Sequence, residues 1–403
     1  MNILFSCDEY PPARTGGIGT VTKIVAEGLA ARGHNVYVVS CCMPGHGLPA
    51  CTVNRGVTIY RLTCFRGLGP IVNNARISTA LNRFGLLATR AGRELRRLHG
   101  FMEKLIATHS IDIVEMPDYI MFTPYYSSKK RVKFIPFSVP TVARVHGSKS
   151  FLSYYKTGHI PKLSRANDID FFSAVSGISA VSGFSARFLS EHLGVEAPVE
   201  VIYNPLDMHQ VDAAMRRAEP YRGGHPFILF FGKIVETKGA FSILKAFNEF
   251  SRSYPDYELL LAGGGEIDYA RTLVEPHAAP RVHFLGYVQR DNLLGYIRDA
   301  QFCVIPSYYE NFSMAALEVM SLGKTLVYTR ETSGPEVIDD GVDGILVDPR
   351  APGQIVEKMK QLAADPSLCS RMGAAAQEKV QNNFSLDHIL RNLETFYSKY
   401  IHN

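Results

Sequence analysis

Short runs of branched and aromatic residues alternate with longer mixed segments along almost the whole chain. In the first half the runs are Asn2 to Phe5, Val36 to Ser40, Val57 to Tyr60, Ile111 to Glu115, Thr141 to Val145 and Val199 to Tyr203, with helical periodicity between them, as in Val21 to Arg32. Strand-like runs separated by helical segments predict βαβ units and a parallel sheet. Asn204-Pro205 and the polar stretch from Met208 to Gly224 break the pattern. It restarts after Gly223-Gly224-His225-Pro226, with runs at Phe227 to Phe231, Tyr257 to Ala262, Val282 to Leu285, Phe302 to Ile305 and Thr325 to Tyr328, which predicts a second parallel sheet. Near the end, Leu386, Ile389, Leu390, Leu393, Phe396, Tyr397 and Tyr400 recur at helical spacing and form one apolar face that must dock. The tract from Ser173 to Ser185 reads as a strand exit and helix start.

Length and composition agree with two domains. At 403 residues the chain exceeds the size at which a single core keeps growing, so the cleft between two domains is the expected active site. Hydrophobic residues at 46% and charged residues at 20% mark a soluble globular protein, and no run approaches the ~18 apolar residues of a spanning helix. Met1-Asn-Ile-Leu-Phe-Ser-Cys opens on a strand pattern without a charged leader, which predicts a cytosolic location. Cys7, Cys41, Cys42, Cys51, Cys64, Cys303 and Cys369 show neither zinc-ligand pairs nor a disulfide framework, so reduced, mostly buried thiols are expected. A net charge of +5 is too mild to imply nucleic acid, and no nucleic-acid module surrounds the basic residues.

The densest chemistry lies in Ser307-Tyr-Tyr-Glu310-Asn-Phe-Ser313-Met-Ala-Ala-Leu-Glu318, where a strand stopped by Pro306 gives way to helix-forming sequence up to Gly323. Glu310 falls in the loop and Glu318 in the helix. With Ser313 as N-cap, the amides of Met314, Ala315 and Ala316 lack intrahelical partners and favour a bound phosphate. Glu318 then lies about 7 Å further along the axis, which suits the hydroxyls of a ribose. Two unrelated surface glutamates are the bland alternative.

Other candidates sit at predicted strand ends. Gly16-Gly17-Ile18-Gly19 closes the loop after the first strand and lets backbone amides approach an anion, although the pattern is not a dinucleotide fingerprint. Lys233 and Lys238 follow the run Phe227 to Phe231, where two ammonium groups would neutralise a diphosphate. His146 follows the run ending at Val145, and Gly263-Gly264-Gly265-Glu266 and Ser333-Gly334-Pro335-Glu336 close two more. Residues 82–104 carry Arg83, Arg90, Arg93, Arg96, Arg97 and Lys104 interleaved with Phe84, Leu86, Leu87, Leu95, Leu98 and Phe101, the pattern of an interfacial amphipathic helix that would touch anionic membrane; Lys129-Lys130-Arg131 and Lys133 add a second basic cluster. Solvated basic faces are the alternative for both.

Taken in order, these motifs resemble the retaining glycosyltransferases of family 4, and the resemblance covers essentially the whole chain. It implies the GT-B architecture, an α/β fold of two Rossmann-like domains with parallel sheets facing across a cleft: residues 1–205 for the acceptor, 206–385 for the donor, and a helix at 386–403 that packs back on the first domain. It implies transfer of a hexose from a UDP- or GDP-linked sugar to a glycan or lipid-linked acceptor, with retention and without a cofactor or metal ion. Glu310, His146 and Lys238 take the catalytic places; Gly16, Gly17, Gly19, Lys233, Lys238, Asn311, Phe312, Ser313, Met314, Ala315 and Glu318 take the donor-binding ones. The chain departs from the family pattern at Asn311 and Ser313, where glycines are usual, and at Lys233, where arginine is common. An epimerase or hydrolase of the same fold, or a non-catalytic sugar-nucleotide-binding scaffold, remain as alternatives.

Overall fold

In the computed structural model the described residues are all of 1–403 except 13–15, 66–76, 78–79, 82–85, 121–132 and 402–403. The chain divides into two units, Met1–Pro205 with Ile389–Asn403, and Leu206–His388.

Unit 1 holds β1 (Asn2–Ser6), β2 (Asn35–Cys42), β3 (Cys51–Asn54), β4 (Val57–Thr63), β5 (Ile113–Pro117), β6 (Thr141–Val145), β7 (Gly177–Ala180) and β8 (Val199–Val201). The sheet order is β3-β4-β2-β1-β5-β6-β7-β8. Its pairings are parallel except β3 with β4, which is antiparallel. Every residue of β5 and β6 is buried, as expected of parallel strands covered by helices on both faces. The chain runs from β1 outward to β2 and β4, then returns to the other side of β1 as β5. That reversal opens a crevice at the carboxyl ends of β1 and β5.

The helices of unit 1 used below are α1 (Gly17–Ala31), α2 (Leu86–His109), α3 (Lys149–Thr157) and α4 (Lys162–Ala174). Helix α2 corrects the reading of residues 82–104 as a lipid-facing helix. Its apolar positions Leu87, Leu98, Met102, Leu105 and Ile106 are buried in one cluster with Val39, Val114 and Met116. The apolar stripe is therefore consumed by the core, and what faces outward is charge: Arg93, Arg96, Arg97 and Lys104 are exposed. Glu94 is buried and takes Arg90 at 2.9 Å and Arg97 at 3.2 Å. Arg83, Phe84 and the cluster Lys129-Lys130-Arg131 lie outside the described residues.

Unit 2 contains β9 (Phe227–Phe231), β10 (Glu258–Ala262), β11 (Val282–Gly286), β12 (Phe302–Ile305), β13 (Leu326–Thr329) and β14 (Ile345–Val347), in the order β11-β10-β9-β12-β13-β14 and parallel throughout. Helices α5 (Ala240–Ser253), α6 (Arg290–Asp299) and α7 (Met314–Ser321) connect or follow these strands. A core around Phe230, Phe247, Phe250, Leu259 and Phe302 fills the space between sheet and helices. Here too the order reverses: β9, β10 and β11 step outward, and β12 returns to the far side of β9, pairing Phe302 with Ile228. The carboxyl ends of β9 and β12 thus define the switch point at which open α/β sheets take ligands.

The last helix, α8 (Leu386–Ile401), belongs to unit 1 from Ile389 onward. Ile389, Leu390, Leu393, Phe396 and Tyr397 are its buried face. Tyr397 donates its hydroxyl to Glu115 Oε2 at 2.6 Å inside unit 1, and Glu394 holds Arg32 at 2.6 Å and His34 at 2.9 Å. The Cβ that any other residue would place at Gly177 collides with the ring of Tyr400. Burial pushes the Glu115 carboxyl up, offset by Arg144 and by the tyrosine hydroxyl. Tyr397→Phe removes that donor and leaves Glu115 buried without it, so we expect a loss of about 1–3 kcal/mol in denaturant unfolding; an unchanged midpoint would show that the bond carries nothing.

Candidate active site

Strand β9 is apolar and wholly buried, and it ends at Gly232, whose φ of +131° turns the chain sharply. Lys233 follows and is exposed. A short turn, Glu236–Lys238, leads to Gly239 at φ +76°, where α5 begins. Gly239 lies against the exit of β12: a Cβ here would run into the carbonyl of Pro306. The Tyr308 amide donates to the Thr237 carbonyl at 3.0 Å, so the two strand exits are joined backbone to backbone.

That contact puts Lys238 beside Glu310. Their side chains pair at 2.5 Å, with Glu310 18% and Lys238 37% exposed. The loop carrying Glu310 is fixed from a third strand exit as well. Its amide donates to Thr332 Oγ1 at 3.0 Å, and Ser333 Oγ donates to its carbonyl at 3.0 Å. Next to it, both side-chain polar atoms of Asn311 are buried without a hydrogen-bond partner, as is Ser307 Oγ. Unsatisfied buried amides are costly and collect where a ligand completes them.

Ser313 caps α7, accepting from the Ala316 amide at 3.3 Å. The N-terminal end of this helix therefore opens beside Glu310, with Met314 and Ala315 partly exposed in its first turn. Glu318, on the same helix, is 15% exposed and pairs with Arg290 at 3.1 Å. Burial pushes its carboxyl up, and Arg290 works against that shift. Phe312 turns away: its ring is buried and packs edge-on against Phe384, 5.6 Å between centroids, which leaves its backbone for any ligand.

The structure therefore brings together Glu310, Lys238, Asn311, Ser313 and the first turn of α7, with Glu318 further along the helix. It alters one expectation. Lys233 and Lys238 are not two free ammonium groups, because Lys238 is neutralised by Glu310; among the described residues Lys233 has no acidic partner and is the cation left available. The sequence reading missed Arg290, which opens α6 after β11, and the anchoring of Glu310 by Thr332 and Ser333. A signal existed for both, since each follows a strand of the same sheet.

His146 and the glycine cluster belong to unit 1. Gly16 is the N-cap of α1, and Gly17 and Gly19 lie in its first turn, so the cluster begins a helix where a loop was expected. A Cβ at Gly19 would strike the carbonyl of Glu9, and one at Gly16 the Glu9 carboxyl, which gives both glycines a packing reason. His146 follows β6. Its amide and that of Gly147 donate to the buried Asp118 carboxyl at 2.8 and 3.1 Å. Burial and the neighbouring Arg144 push the imidazole down to about 3, so it is neutral at physiological pH. Asp118 is pushed up to about 7 by burial, offset by those same amides.

Two family models match the chain, Glycosyltransferase Family 4 over residues 15–210 and Glycosyl transferases group 1 over residues 211–379. The chain is 25% identical to a glycogen synthase of Mycobacterium tuberculosis over 392 residues, covering 95% of this chain and 91% of that one. Among solved structures it is similar to sucrose-phosphate synthase of Thermosynechococcus elongatus, with a TM-score of 0.76 at 18% identity over 99% of this chain and 98% of that one. It is also similar to Anabaena HepE in complex with UDP, with a TM-score of 0.67 at 15% identity over 99% and 100%. Two parallel α/β units with these matches define a glycosyltransferase of GT-B architecture. The chain belongs to the family 4 glycosyltransferases.

The neutral imidazole has a consequence for acid stability. With its folded value near 3 against an ordinary 6.5, His146 favours folding fully above pH 6.5 and loses that contribution as pH falls toward 3. Asp118 has the opposite sign: raised from 3.8 to about 7, it destabilises progressively as pH rises through that window. In a proton NMR titration we expect the His146 ring signal to stay at its neutral position from pH 8 to pH 5; a midpoint near 6.5 would contradict the neutral ring.

Proposed function

We propose that the protein is a retaining, metal-independent hexosyltransferase. It takes a sugar from a UDP- or GDP-linked donor and passes it to a hydroxyl of a glycan or lipid-linked acceptor, in surface polysaccharide or glycoconjugate synthesis. The observation that carries this reading is the pairing of Glu310 with Lys238 at the switch point between β9 and β12, beside the unsatisfied Asn311 amide and the capped start of α7. Three kinds of group serve the donor in this reading: a carboxylate for sugar hydroxyls, helix amides with Lys233 for phosphate, and the partly exposed Glu318 for a ribose diol. UDP is named for HepE, which makes it the first nucleotide to try.

In the transfer, the bond between the anomeric carbon and the β-phosphate oxygen breaks while the acceptor oxygen bonds the same face. The acceptor proton passes to the departing phosphate, and the nucleoside diphosphate leaves. Helix amides and Lys233 stabilise its developing charge, so no cation is required in this reading. Glu310 holds sugar hydroxyls and positions Lys238, while His146, neutral in unit 1, is a hydrogen-bonding ring for substrate. Contact with anionic membrane would come from the exposed Arg93, Arg96, Arg97 and Lys104 of α2.

The test is nucleotide release from UDP-glucose and GDP-mannose in EDTA, with and without a panel of glycan and lipid-linked acceptors. Acceptor-dependent release with a product of retained configuration is expected. Glu310→Gln should lower kcat by roughly 100-fold, the scale of losing one preorganised polar contact at the reacting centre. Full turnover by Glu310→Gln would sink its assigned role, and acceptor-independent release would favour an epimerase or hydrolase.

A further inference from the structure

Among the described residues the Glu318 carboxyl has a single partner, and it comes from another helix. Arg290 opens α6 just after the exit of β11 and reaches across to α7, where it pairs with Glu318 Oε1 at 3.1 Å. It does so from an unfavourable place. A cation at the first position of a helix is opposed by the positive end of the dipole, and Gln289 caps α6 without a side-chain bond. The start of the helix is fixed all the same, because Arg217 donates twice to the Asp291 carboxylate, at 2.7 and 3.2 Å. Arg290 is therefore one residue away from an anchored point.

The other charged groups on the elements packed against α7 are engaged elsewhere. On α6, Asp291 serves Arg217 and Arg298 serves Asp299, each at 2.7 Å. On the helix Pro366–Asn383, Arg371 is paired with Asp365 and Lys379 with Asp339 and Asp343, while Glu378 is exposed. Strand β13 carries no charged residue, and in the loop before α7 Glu310 is paired with Lys238. Burial pushes the Glu318 carboxyl up, and the Arg290 guanidinium is what opposes it.

We propose that Arg290 is a positioning residue for the nucleotide: it ties down one side of the Glu318 carboxylate and leaves the remaining lone pairs turned to the ribose hydroxyls. This rests on the nucleotide-sugar reading and adds to it a residue that works through Glu318 without touching the ligand. An ionised carboxylate has about four acceptor sites, so one ion pair leaves room for a diol. A protonated one places a donor where the hydroxyls need acceptors. Without Arg290, burial keeps the proton on Glu318 to higher pH. Nucleotide binding by such a variant is then weakest at low pH and recovers as the pH rises and the carboxylate forms.

The test is calorimetric titration of the full chain with UDP, GDP and ADP in EDTA at pH 6 and pH 8.5. For the nucleotide that wild type binds, Arg290→Gln should bind roughly tenfold more weakly at pH 6, and the ratio to wild type should shrink about fivefold by pH 8.5. Taking the ratio removes the titration of the nucleotide phosphates. Arg290→Lys, which keeps the charge, should stay within about threefold of wild type at both pH values. Arg290→Met, which keeps the apolar stem, replaces the glutamine variant if that one melts below the titration temperature. In a Glu318→Gln background, loss of Arg290 should cost less than about twofold, because the arginine then has nothing to act through. A ratio independent of pH would mark a merely structural residue, and losses that multiply in the double variant would mark one that touches the nucleotide; either overturns the proposal. Failure of the nucleotide reading looks different, since wild type would then bind none of the three, and both would fall together.

Discussion

The exits of β9 and β12 touch backbone to backbone where Gly239 meets the Pro306 carbonyl, and the candidate active site depends on that approach. Only a residue without a Cβ, at a φ of +76°, brings the two loops so close. From that contact follow the pairing of Lys238 with Glu310, the position of the Ser313 cap and the direction of α7. The reversal of strand order around β9 then leaves the same sheet edge open to a ligand. Backbone geometry and topology, more than any single charged group, place the chemistry.

The same economy recurs in unit 1. Asp118, at the exit of β5, holds the turn after β6 through two amides, and so fixes where His146 stands. The C-terminal helix closes this unit from a distance in sequence, through Tyr397 on Glu115 and Glu394 on Arg32 and His34.

Much of this was legible in the sequence, for physical reasons. Buried parallel strands such as Phe227–Phe231 and Phe302–Ile305 are unbroken apolar runs, so their bounds were read directly. Glu310 in a loop and Glu318 on a helix followed from Pro306 and the Ser313 cap. Strand β14, with three residues, was too short to stand out, and β3, with Thr52 and Asn54 at an exposed edge, carries no apolar run. The stripe on α2 was correctly periodic but assigned the wrong neighbour, because periodicity tells that a face is buried and not what buries it. Partners far apart in sequence, Lys238 with Glu310 and Arg290 with Glu318, are set by tertiary packing that a local pattern does not encode.

The central claim is that unit 2 binds a nucleotide with Glu318 on its ribose. Calorimetric titration with UDP, GDP and ADP in EDTA, on wild type and Glu318→Ala, tests it most directly. The account predicts micromolar binding of one nucleotide, weakened roughly 10- to 100-fold in the variant, the scale of hydrogen bonds to a charged group. Equal affinity in both proteins, or no binding of any of the three, would contradict it.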